Sequence, residues 1–144
     1  MKRKVVIIIL SVLLTVIAGI TFSGCKVYHW KIEKNIEEIE CIEIIYINDF
    51  YNNDYDLICE ISDKQFSEIV KDIENLEAKK YAGSLTNPHN KTVRITFVNG
   101  DYDLISEYEP RHLYNGEAVS NSKTTRLCFS EEEFNRLIEK WIAD

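Results

Sequence analysis

The chain has 144 residues, with 17 Lys and Arg against 24 Asp and Glu and a formal charge of −7. Lys2, Arg3 and Lys4 are followed by an uncharged stretch over residues 5–25, so residues 26–144 hold 14 cations against 24 anions and stand at −10. A surface this acidic repels phosphate backbones, which excludes nucleic acid as a partner class, and the length predicts one domain able to bury a core without cross-links.

The apolar run from Val5 to Phe22 comes after the three basic residues and closes on Ser23-Gly24-Cys25. Basic residues stay on the cytoplasmic side while an apolar run enters the membrane, so the remainder of the chain is delivered outside. Phe22-Ser23-Gly24-Cys25 resembles the lipobox of bacterial lipoproteins, with Phe22 standing where that motif carries an aliphatic residue. The resemblance implies a signal peptide over 1–24 and acyl chains of the palmitate kind on Cys25, the first mature residue. It also implies anchorage to lipid on the outer face of the cytoplasmic membrane, as in small cell-envelope lipoproteins. The run also approaches the ~20 residues that span a bilayer, so a single-pass N-terminal anchor stays open; both readings place the domain outside. Lys26, Tyr28, His29, Trp30 and Lys31 suit the headgroup level or form a plain tether. Residues 25–38 are read as that tether, ahead of a single domain over 39–144.

Ile39 to Ile47 is rich in β-branched residues and predicts a strand. Asn48 to Asp54 is its turn, and alternation from Tyr55 to Ile61 predicts a second strand with Tyr55, Leu57, Cys59 and Ile61 on the buried face. Ser62 and Gln65 read as a capping box for a helix whose stripe is Phe66, Ile69, Val70, Ile73 and Leu76. Residues 82–91 form a loop. Val93, Ile95 and Phe97 then alternate up to Asn99-Gly100, and Tyr102 and Leu104 alternate after it, which predicts a two-residue hairpin. Pro110 interrupts that strand, residues 112–119 read as a short edge segment, and residues 120–123 turn into a final strand marked by Thr125, Leu127 and Phe129. Ser130 and Glu133 cap a closing helix with Phe134, Leu137, Ile138 and Trp141 on its apolar stripe.

These elements predict an α+β fold: an antiparallel sheet of about five or six strands with two amphipathic helices on one face. The strand-to-helix units align at a shift of 68, Ser62 on Ser130 and Ile73 on Trp141. One reading is a duplicated strand-strand-helix unit; the other is that any two capped amphipathic helices align this way.

Tyr108, Arg111, His112 and Tyr114 gather at the break in the sheet the side chain types that most often anchor a partner, and are read as the binding surface. The alternative is an edge whose tyrosines pack while its charges are solvated. No nucleophile is specified beside His112, and Glu109 lies across Pro110, so no catalytic residue is assigned. Asp49, Asn52, Asn53, Asp54 and Asp56 supply oxygens but lack EF-hand spacing, and their residue types suit a turn. His29, His89 and His112 are too scattered for zinc. No metal and no cofactor is expected. Cys41, Cys59 and Cys128 read as small core residues, with a Cys41–Cys59 disulfide open between neighbouring strands. Asp101 and Asp103 read as solubilising a hairpin.

The functional expectation is a membrane-anchored, non-enzymatic module that binds an envelope or secreted protein or peptide. A narrower version is an inhibitor or immunity-type lipoprotein whose acidic face blocks a basic toxin or enzyme. The alternative from another class is an envelope hydrolase using His112 with Glu109 or an acid of the 48–56 turn.

Overall fold

A computed structural model describes residues 26–49, 54–80, 91–108, 110–114, 117–118 and 127–143. The leader with Cys25 lies outside them, as do residues 50–53 of the oxygen-rich turn, His89, Glu109 and the 120–123 turn. In chain order the elements are β1 (Ile39–Asp49), β2 (Asp54–Glu60), α1 (Phe66–Asn75), β3 (Ala78–Lys80), β4 (Lys91–Phe97), β5 (Tyr102–Ile105), β6 (Arg111–Tyr114), β7 (Glu117–Ala118), β8 (Leu127–Phe129) and α2 (Glu131–Ala143). Six strands form an antiparallel sheet in the order β2-β1-β4-β5-β6-β7, while β3 and β8 form a separate antiparallel pair.

The alternation of β1 decides where the core sits. Ile42 and Ile44, opposite Ile95 and Val93, are fully buried in one cluster with Ile69 and Ile73 of α1 and Phe134 and Ile138 of α2. Each such side chain contributes about 2–3 kcal/mol by leaving water. Both helices therefore close one face of the sheet, as their apolar stripes predict. Their rims are joined by charge: Lys140 Nζ lies 2.5 Å from Glu68 Oε1 and 3.0 Å from Asp72 Oδ2, and Trp141 Nε1 donates to Asp72 at 3.1 Å. The opposite face carries a smaller cluster of Ile45, Ile47, Leu104 and Leu113 with Tyr55 and Tyr102.

Several expectations are corrected. The Phe97-to-Asp101 turn is a three-residue hairpin: Gly100 N–H donates to Phe97 O, Phe97 N–H donates to Asp101 O, and Gly100 takes φ +85°. A left-handed glycine closing such a turn is a G1 bulge, which sets register one residue away from that of a two-residue loop. A one-residue slip turns every side chain of β5 to the other face. Tyr102 and Leu104 accordingly join the smaller cluster, and Asp103, opposite Ile95, faces the helix side.

The stretch read as a tether is packed instead. Tyr28 and Ala78 exchange backbone hydrogen bonds of 2.9 and 2.8 Å, and Ile32 is buried in the main core. Ser62 makes no side-chain cap; a 3-10 turn, Asp63–Gln65, leads into α1 instead. Glu133 N–H does reach Ser130 Oγ at 3.5 Å. The repeat correspondence extends to the helices only, because β2 borders the six-stranded sheet while β8 belongs to the two-stranded one. Cys41, Cys59 and Cys128 are free thiols, each half-buried. Cys41 and Cys59 cannot be bridged: Cys41 pairs with Thr96 on the face of Glu43, whereas Cys59 packs against the helix-side core.

Candidate functional site

The site begins with the β5 register. Asp101 and Asp103 enter the sheet on its covered face and are 8% and 1% exposed. A buried carboxylate needs partners, since desolvation without them is costly, and here the partners come from β6 and from residues 30–34. His112 sits directly opposite Asp103, with Nδ1 2.5 Å from Asp103 Oδ1. Its Nε2 lies 3.3 Å from Glu33 Oε2, and its ring stacks on Trp30 with centroids 4.5 Å apart. The second oxygen of Asp103 accepts the Glu33 backbone N–H at 3.2 Å. One residue on, Lys34 Nζ reaches Asp101 Oδ2 at 3.1 Å and lies over the Phe97 ring. Asn99 donates to the same Asp101 oxygen from within the turn.

This geometry holds protons. Burial works against the imidazolium, but the hydrogen bond and charge of Asp103, with the charge of Glu33, outweigh it and raise His112 above its ordinary value of 6.5. Asp103 is raised as well: burial dominates, opposed by His112 and by the Glu33 N–H. The cluster thus favours a charged imidazole donating to two carboxylates, one in the sheet and one in the N-terminal segment. Chemically it is a clasp, joining residues 30–34 to β5 and β6.

The Asp103–His112 pair has the look of a general-base dyad, with the acid fixing one nitrogen. Its other nitrogen faces Glu33, and its ring is covered by Trp30. Sequence reasoning paired His112 with Glu109 or the 48–56 turn and missed both real partners, Asp103 and Glu33. The signal that finds Asp103 is the turn: counting a three-residue loop places Asp101, Asp103 and Ile105 on one face.

The four residues read as a binding surface do not share one. Arg111 and His112 are consecutive in β6 and so project to opposite faces. Tyr108 is exposed beside a bridge to Cys128, and Ser106 donates to its carbonyl at 2.6 Å. Tyr114 ends β6. Among the described residues no group of three or more His, Cys, Asp or Glu is placed to hold a metal ion.

A second surface lies at the other end of the sheet. The register of β1 and β2 runs Ile44 to Cys59 and then Ile45 to Leu57, which leaves Ile58 as the extra residue of a β-bulge. Leu57 and Ile58 are 54% and 40% exposed on this edge strand, flanked by Asp54, Asp56 and Glu60. The expectation that Leu57 shares a buried face with Cys59 and Ile61 fails because the bulge turns Leu57 to the face of Ile45, away from the helices, on a strand that borders the sheet. On the neighbouring strands Arg94 pairs with Glu43 at 2.5 Å and stacks over Tyr55. No family model, curated protein or solved structure matches this chain.

Proposed function

We propose that the protein is a lipid-anchored extracytoplasmic module that binds a partner protein without catalysing a reaction, and that its docking surface is the β2 edge. The observation that carries this reading is an edge strand exposing Leu57 and Ile58 between three acids. An edge strand presents unpaired backbone N–H and C=O groups to an added strand, and alternate side chains supply specificity. The acids select a cationic segment and disfavour a second copy of this strand, which would set carboxylates against carboxylates. The bulge at Ile58 re-aims apolar side chains outward, as bulges beside binding sites do. The inhibitor or immunity version is the narrower form of this reading, with the basic segment belonging to a toxin or enzyme. The clasp favours a binding protein over a hydrolase, because both nitrogens of His112 are turned to carboxylates.

The test uses full-length protein in nanodiscs and an alternating Lys-Val peptide, with an alternating Glu-Val peptide as the control. Hydrogen exchange over residues 54–60 should slow with the cationic peptide alone, and Leu57→Asp should abolish the slowing. Unchanged exchange with both peptides, or equal slowing by both, would show that the edge is not the docking surface.

A further inference from the structure

The corner where the chain enters the fold is basic, in a molecule that is otherwise acidic. Tyr28 and Ala78 are joined as an isolated antiparallel bridge, and continuing its register past the bridge sets Val27 toward Lys79 and Lys26 toward Lys80. Lys80 Nζ lies 5.4 Å from the Tyr28 ring centroid, which fixes the two chains side by side at this point. Lys26, Lys79 and Lys80 are exposed, and Val27 stands 46% exposed beside them; Lys79 and Lys80 alternate in direction along β3, Lys80 on the side of Tyr28, so the basic groups flank the end of this strand on both sides. Among the described residues Lys26, Lys79 and Lys80 form no ion pair, although residues 26–144 carry 24 acids. Glu77, exposed next to Ala78, is two residues from Lys79. Like charges set side by side are unfavourable unless an anion lies between or below them.

From this juxtaposition we infer that the Lys26/Lys79/Lys80 corner is the membrane-contact face of the domain and lies on anionic phospholipid headgroups. The inference rests on the proposed anchoring through the leader. Two features of the chain select this occupant. The uncharged apolar run ends at residue 25, one residue before the first described lysine, so a bilayer that holds the leader lies within reach of this corner. The charge is also complementary: lysines near an anionic surface are attracted to it, while the acidic remainder of the domain is repelled and turned outward. Tyr28 and Val27 supply the aromatic and apolar groups that settle at headgroup depth. Because residues 28–34 are clasped to the sheet, the β2 edge is presented at a set orientation to the bilayer.

The experiment reconstitutes the full-length protein into phosphatidylglycerol or phosphatidylcholine vesicles, floats them, and acylates accessible lysines for mass spectrometry. The protein should float with both kinds of vesicle. Labelling of Lys79 and Lys80 should be slowed by roughly fivefold on the anionic vesicles alone. The slowing should vanish near 1 M salt, where the Debye length falls to about 3 Å, and Lys64 and Lys71 should label equally throughout. A Lys79→Glu, Lys80→Glu variant should float unchanged yet leave Lys26 open to the reagent on anionic vesicles. Flotation with Lys79 and Lys80 labelled equally on both lipids overturns the contact face and leaves the anchoring intact. Failure to float overturns the anchoring, and the contact face with it.

Discussion

One face of the sheet is closed in two different ways. Under α1 and α2 the contact is apolar throughout, with Ile42, Ile44, Val93 and Ile95 against Ile69, Ile73, Phe134 and Ile138. Beneath residues 30–34 it is polar, with Asp101, Asp103 and His112 against Trp30, Glu33 and Lys34. A helix brings a whole stripe of aliphatic side chains and so closes its share of the face by burial alone. A five-residue irregular segment has no such stripe and contributes one buried aliphatic residue, Ile32. Its place is set instead by charge-assisted hydrogen bonds, which are directional and sensitive to pH.

The largest effect should come from the apolar region. Ile73→Ala or Phe134→Ala should lower unfolding free energy by about 3–5 kcal/mol in urea titrations; a loss below about 1 kcal/mol would mean that the helices are not seated as described.

The polar region should answer differently. Removing His112 leaves a carboxylate buried without its partner, so His112→Ala should cost about 3 kcal/mol. Replacing both members, Asp103→Leu with His112→Leu, should cost less than His112→Ala alone, because no buried charge is stranded. Strictly additive losses in this cycle would remove the pair from the account.

The pH dependence is set by the direction of both shifts. A folded-state value raised above the unfolded one means that the native state binds more protons, so stability falls as pH rises. For His112 the contribution is complete below its unfolded value of 6.5 and is lost as pH climbs through the higher folded value. Asp103, also raised, acts in the same direction at lower pH. Thermal midpoints should therefore decline from about pH 6.5 upward, and His112→Gln should flatten that decline. A midpoint that rises over this range would reverse the assignment of the proton.

The same physics decides how much of this division is legible in the sequence. The helix stripes and the strands of β1, β2 and β4 are written in period and β-branching, and they recur where read. The clasp is hidden for two reasons. Its N-terminal half sits in a segment with no periodicity, where Ile32 alone hints at burial. Its sheet half is turned over by the loop count at Asn99-Gly100, since that dipeptide serves a two-residue turn and a bulged three-residue turn equally well. The apparent surface at Tyr108, Arg111, His112 and Tyr114 fails for a third reason: neighbours in a strand face opposite ways. The smallest predicted effect belongs to that turn. Gly100 has open space around its Cα, so Gly100→Ala should cost about 1 kcal/mol from backbone conformation alone, with no loss of the clasp.

The central claim is that residues 28–34 are part of the domain, held by Asp103 and His112. The most direct measurement is hydrogen exchange of the Glu33 amide, which donates to Asp103, in the full-length protein and in Asp103→Asn. The account predicts strong protection in the first and a marked loss in the second while the amides of β1 and β4 stay protected. Exchange of Glu33 at the rate of an unstructured peptide, with those strands intact, would contradict it.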